Sequence, residues 1–160
     1  MGKLIRRFWV IAALMFWQGG FTFYAAVVVP IGADVLGSHL AQGFVTRQVT
    51  IYLNLAGAVS LPILALDIAA TTDATRWRPR ARWALCGVLL VTLLVQCWLH
   101  YRLDDLLDPA ARRHLDKPTY LALHAVYLHV STSQWIAALA GLVLSLAAWR
   151  AEDGEIKVSA

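Results

Sequence analysis

The sequence predicts an all-α fold: one four-helix transmembrane bundle filling residues 1–160, with short interfacial helices in its outer connections. Three observations lead there. Of 160 residues, 59% are hydrophobic and 15% charged, against about 45–50% and about 25% in soluble domains. Four apolar stretches, residues 8–29, 49–70, 83–101 and 120–149, each reach the roughly 20 residues that cross a bilayer. The chain left over is too short for a separate soluble domain.

Charge placement orients the expected spans, because lysine and arginine concentrate in short cytoplasmic loops. With the N-terminus inside, nine lie on the inner side: Lys3, Arg6, Arg7, Arg76, Arg78, Arg80, Arg82, Arg150 and Lys157. Five lie outside: Arg47, Arg102, Arg112, Arg113 and Lys117. The expectation is N-in/C-in, in a bacterial cytoplasmic (inner) membrane. The net charge of +4 flanks the spans, which suits anionic lipid headgroups rather than nucleic acid. Lys3, Arg6 and Arg7 precede the first stretch as in a signal peptide, but it exceeds an h-region of about 7–15 residues and no small-x-small site follows. It reads as a retained anchor.

The first span is aromatic, with Gln18-Gly19-Gly20 at its middle. Paired glycines let a neighbouring backbone approach, and Gln18 can bond across the contact. Pro30 is expected to end this span. Residues 31–47 mix glycines with Ile31, Val35, Leu36, Leu40 and Phe44, the pattern of a short interfacial helix. Thr46 is the expected cap of the second span. That span carries Asn54, the small pair Ala56 and Ser60, a kinking Pro62, and Asp67 facing the arginines of the next loop. Trp77 and Trp83 in the arginine-rich connection read as interfacial anchors.

In the third span Thr92, Gln96 and His100 recur every four residues and share one side. Cys86 and Cys97 lie too far apart on one helix for a disulfide. Asp108-Pro109 is expected to start a second surface helix reaching about His114, and Pro118 to open the fourth span. The fourth span is the most informative. Its first half holds His124, Tyr127, His129 and Ser131-Thr132-Ser133-Gln134, and ionisable groups at membrane depth usually face a bundle interior or cavity. Ser133, Ala137, Gly141 and Ser145 form a small-residue ridge that extends upward to His129. His124 lies on a different face, with Tyr120, Tyr127 and Ser131.

Comparing depths along alternating helices gathers His124, Tyr127, His100, Gln96, Asn54, Gln18 and Gln134 into the outer half and middle of the bundle. Interhelical hydrogen bonding explains Gln18, Asn54 and Gln134. One alternative is a haem held axially by His100 and His124. Another is copper or zinc among His100, His124, His129 and Cys97, although the chain has two methionines and no HxxxH or CxxC spacing. A further alternative is a small-solute or proton pathway, which four helices would form only as an oligomer. No acidic residue is placed to orient a histidine for hydrolysis, and no nucleophile elbow is present. The expectation is a non-enzymatic module without a cofactor. It would act in the lipid bilayer by packing with itself, as a homo-oligomer, or with a membrane-protein partner.

Two stretches carry a resemblance. One is Phe16 to Pro30, continuing through Gln42 to Thr50 and Asn54; the other is Tyr120 to His124, continuing from Tyr127 to Trp135. They resemble a group of small bacterial four-helix membrane proteins of unknown function, related to the transmembrane-protein-205-like family. The resemblance covers spans one, two and four and implies a four-helix bundle with no catalytic residues to carry over. His129 and His100 fall outside its pattern, which makes His124 the first choice for any shared site.

Overall fold

The computed structural model describes residues 2–73, 75–108, 110–111 and 113–158, with side chains described through residue 154. Four helices make up the fold: α1 (Gly2–Leu36), α2 (His39–Ala70), α3 (Trp77–Asp104) and α4 (Lys117–Val158). All four are long and apolar enough to cross a membrane. Phe16, Tyr52, Leu66, Leu94 and Val143 all point outward, each more than half exposed. Apolar surface on that scale suits lipid and not water, so the chain is an integral membrane protein.

The helices extend past the spans read from hydropathy, and the first connection is shorter than expected. α1 does not stop at Pro30. Two π-helical turns, Met15–Gly19 and Tyr24–Val28, interrupt its α-helical run, the second immediately before the Val29–Leu36 segment that holds Pro30. A proline clashes with the carbonyl four residues back and lacks a donor; a wider i→i+5 turn at that place relieves both. The rod ends at Gly37, whose φ of 62° is left-handed and whose N–H donates to the Asp34 carbonyl. Ser38 then caps α2, its hydroxyl accepting from the Ala41 N–H at 3.3 Å. Thr46 is therefore mid-helix, donating to the Gln42 carbonyl at 3.0 Å. No separate interfacial helix forms over residues 31–47, because α1 and α2 share that segment between them.

The second connection also departs from expectation. Asp108 does accept from the Ala110 and Ala111 N–H groups, as a cap would. The chain then closes into a two-residue antiparallel ladder, β1 (Leu107–Asp108) with β2 (Arg113–His114), instead of a surface helix. The Ala111 N–H, ahead of the other contacts, holds the Asp108 carboxyl below its usual range. Pro109 lies outside the described residues. Asp116 caps α4, accepting from the Thr119 hydroxyl at 2.6 Å and the Thr119 N–H at 3.2 Å.

α3 packs between α2 and α4, and α1 lies against α2. The buried side of α4 runs Ser131, Gln134, Ala138, Gly141, Ser145, Ala148, Glu152. That is a 3-4 alternation, the seam of helices crossing at a shallow angle. The expected four-residue ridge survives at Ala137, Gly141 and Ser145, but Ser133 and His129 are exposed. A strict four-residue step drifts off a 3.5-residue seam, so His129 does not head a packing face. The expected close approach at Gly19-Gly20 also lies elsewhere. A Cβ on Gly19 would meet nothing within 4 Å, whereas one on Gly57 would strike the Trp17 indole at 2.7 Å.

Arg6–Arg7, Asp67, Arg82 and Trp149–Glu152 meet at the end of the bundle that carries both chain termini, the terminal end. Asp67 does pair with Arg82, and also lies 2.7 Å from Arg6 Nε. Trp149 Nε1 donates to both Asp67 oxygens at 3.1 and 3.2 Å. Arg6 and Arg7 continue to Glu152 at 2.9 and 2.8 Å. This network binds all four helices together at one end.

Candidate functional site

The opposite end, with the Gly37–Ser38 turn and the β1–β2 hairpin, is open. A cavity of about 430 Å³ lies there, lined from α1 by Val29, from α2 by His39, Thr46, Arg47 and Thr50, and from α3 by His100 and Asp104. The hairpin contributes His114, and α4 contributes Lys117, Tyr120, His124 and Tyr127. Four of the five histidines therefore share one cavity.

Local structure places each wall. The α2 wall is fixed by Gln42, which is 3% exposed. Its Nε2 donates to the Tyr24 hydroxyl at 3.2 Å, and that hydroxyl donates to Thr46 Oγ1 at 3.1 Å. A Cβ on Gly32 would overlap the Gln42 carboxamide, so only glycine lets α1 approach this closely. Arg47 Nε then reaches across to Asp104 Oδ1 at 2.7 Å, joining α2 to α3. Asp104 Oδ2 lies 3.9 Å from His100 Nε2, one turn earlier on α3. On the far side the rings of His114 and Tyr120 sit 4.4 Å apart, and those of Tyr120 and His124 stack at 6.0 Å. His114 Nδ1 is buried without a hydrogen-bond partner among the described residues.

Charge in the cavity is one-sided. Asp104 is engaged by Arg47, while Lys117 forms no ion pair among the described residues. Val29, Leu40, Leu103 and Leu121 supply apolar walls. The Lys117 cation and these apolar walls can accommodate a ligand with an anionic head and some apolar body.

Of the residues read from the sequence, His100, His124 and Tyr127 are brought together here. Gln96 and Gln134 are not in the cavity; they form a polar zipper between α3 and α4. Gln96 Nε2 donates to Ser131 Oγ at 2.9 Å, and Gln134 Nε2 to Thr92 Oγ1 at 3.2 Å. Asn54 and Cys97 line a separate groove between α2 and α3. Gln18 faces the space between α1 and α4. His129 is exposed, its Nδ1 2.7 Å from the Ala125 carbonyl of its own helix. Among the described residues no three His, Cys, Asp or Glu side chains converge as a metal set, so His100, His124, His129 and Cys97 do not form the copper or zinc site considered above. His39, His114, Arg47, Asp104 and Lys117 were missed because they fall at helix ends read as loops, whereas Tyr120 does lie beside His124 as the shared face anticipates. The available signal was positional: His39, His100, His114 and His124 each lie within about two turns of a helix end at this side.

Fold and cavity together define the class: a four-helix integral membrane protein with a polar, histidine-rich pocket at one end. No family model matches the sequence, and neither does any curated protein or solved structure.

Proposed function

We propose that the protein is a non-enzymatic binding module of the bacterial cytoplasmic membrane, N-in/C-in, which takes a small anionic amphiphile into its hairpin-end pocket from the outer face. The observation that carries this reading is the gathering of His39, His100, His114 and His124 with Lys117 around one cavity of about 430 Å³. That volume lies within the roughly 300–1,000 Å³ of small-molecule sites. The Lys/Arg excess beside the terminal end supports placing that end in the cytoplasm.

The test is calorimetric titration of the protein in lipid nanodiscs with hexyl phosphate at constant pH. Saturable binding is expected. Lys117→Ala and His124→Ala are each expected to weaken it about tenfold, the worth of one charge-assisted or buried hydrogen bond. Binding that is absent, or indifferent to these substitutions, sinks the reading.

A second reading rests on its own observation. The α2–α3 groove of about 800 Å³ is mostly apolar, with Asn54 as its one amide beside Cys86 and Cys97, and an amide facing lipid favours association with another helix. A homo-oligomer joined through Asn54 would lose its dimer band in detergent on Asn54→Leu; an unchanged band rejects it.

A further inference from the structure

Gln18 is buried to 6% exposure at the middle of α1, yet its Nε2 has no hydrogen-bond partner among the described residues. The residue lines a groove of about 400 Å³ between α1 and α4. The other lining side chains are apolar, among them Leu14, Phe23 and Leu142, apart from the Trp135 indole N–H and Thr22, whose hydroxyl donates to the Gln18 main-chain carbonyl at 2.7 Å. A desolvated donor without an acceptor is costly anywhere and more so at membrane depth. The π-helical turn Met15–Gly19 produces this placement by burying the consecutive residues Trp17 and Gln18 together. Such turns frequently mark functional sites.

The occupant must therefore bring an acceptor to mid-membrane. A plain acyl chain brings none there. A second copy's helix packs most closely on a flat ridge of small residues, whereas here Met15 and Phe23 stand out at the rim, 68% and 62% exposed. The groove runs from Ile11 to Phe23, about 18 Å along the axis, so it is long enough for a head and a tail. Phe23 and Trp135 offer aromatic walls at one end; Ile11, Leu139 and Leu142 line the other.

We propose that the α1–α4 groove binds a lipophilic carbonyl compound of the isoprenoid-quinone type. A ring oxygen accepts from Gln18 Nε2 once the carboxamide turns into the groove, and the apolar tail lies toward Leu142. The groove shares no residue with the hairpin-end pocket, so the two readings stand or fall separately.

The test is calorimetric titration of the full chain in nanodiscs with a benzoquinone carrying two isoprene units, alongside NMR of the Gln18 carboxamide. Saturable 1:1 binding is expected, with the Gln18 side-chain NH₂ resonance shifting. Gln18→Leu weakens affinity about tenfold, the worth of one buried hydrogen bond, without lowering Tm, because it removes an orphan amide. Gly19→Leu projects into open groove space; it blocks binding with the fold intact. An isoprenoid hydrocarbon of equal length, lacking carbonyls, binds at least tenfold more weakly. The proposal is overturned if the quinone shows no saturable binding, if Gly19→Leu leaves affinity unchanged, or if the hydrocarbon binds equally well. Disulfide trapping of Met15→Cys to Leu139→Cys between two copies would overturn it in favour of a dimer contact.

Discussion

Replacing Asp67 with Asn strands a buried arginine. Arg82 is 3% exposed, and Asp67 is its only ion-pair partner among the described residues. Arg6, by contrast, keeps Glu152 at 2.9 Å. The cost therefore falls on Arg82. Removing one member of a buried pair costs about 3–5 kcal/mol, since an uncompensated charge remains in a low-dielectric site. Asparagine is isosteric and retains one acceptor for Trp149 Nε1, which places the expectation at about 3 kcal/mol. Ordinary interhelical hydrogen bonds in membranes average about 0.6 kcal/mol, so an effect of this size separates an ion lock from a common contact. The assay is reversible unfolding in mixed micelles, followed by circular dichroism. A double variant, Asp67→Asn with Arg82→Met, removes the stranded charge and should recover at least about 1 kcal/mol of the single variant's loss. A single variant within about 1 kcal/mol of the natural protein refutes the reasoning, as does a double variant that is less stable still.

The remaining predictions concern packing, the α3–α4 zipper and one cap. Gly57→Val drives a Cβ to 2.7 Å from a Trp17 ring that is 2% exposed; overpacking should cost about 1–3 kcal/mol. Gly19→Ala meets nothing and should be neutral or stabilising by up to about 1 kcal/mol from helix propensity; equal Tm shifts for the two variants would contradict the assignment. Gln96→Leu deletes the 2.9 Å bond to Ser131 and should cost about 0.6 kcal/mol, at most about 1.7, in the same micelle assay; a loss matching that of Asp67→Asn would contradict it. The Asp116 carboxyl is held below its usual range, first by the Thr119 hydroxyl and then by the Thr119 N–H. A lowered folded pKa means the cap is fully present above the unfolded value of about 3.9 and is lost as pH falls through the lower folded one. Hydrogen-exchange protection at Thr119 and Tyr120 should therefore hold from pH 7 to pH 5 and decline only below about pH 4. A decline between pH 7 and pH 5 would show that another group controls this end.

Hydropathy and spacing made the helix count and the α3 face legible, because both depend on local periodicity. Thr92 and Gln96 do turn toward α4 through bonds that the four-residue step anticipates, and His100 on the same side lines the pocket. Helix ends were illegible for a different reason. Ser38 and Asp116 are ordinary caps, but they lie far outside the apolar runs, so counting lipid-compatible residues shortens every helix. His129 misled because its four-residue step to Ser133 and Ala137 suits an isolated straight helix, while packing against α3 selects a 3-4 seam. The pocket itself depends on a π-helical turn carrying α1 past Pro30 and on a hairpin bringing His114 to Tyr120. Neither follows from residue type at fixed spacing. The Arg6–Asp67–Arg82–Trp149 network joins four helices and was visible only as one expected pair.

The two ends of the bundle have opposite physical character, and this bears on what the hairpin-end pocket can do. Below it the polar zipper of Gln96, Ser131, Gln134 and Thr92 is internally bonded and offers few free groups to a moving ion. Next comes a layer of Val10, Leu14, Leu64, Leu89, Leu93 and Ala138, buried together as one apolar cluster. From Gln134 to Ser145 on α4 this interval spans about 16 Å, and the Ser145 hydroxyl is turned back to the Gly141 carbonyl. A charge crossing it would be desolvated without partners, a cost far above thermal energy. Beyond the layer, the cations and carboxylates of the terminal end are paired with one another and knit the four helices shut. Conduction through one protomer would have to melt the apolar layer and the ion lock together, whereas filling the pocket from its open end disturbs neither. The architecture therefore supports the proposed capture over passage. Changes at Asp67 or Arg82 should lower stability while leaving the affinity of the hairpin-end pocket unchanged.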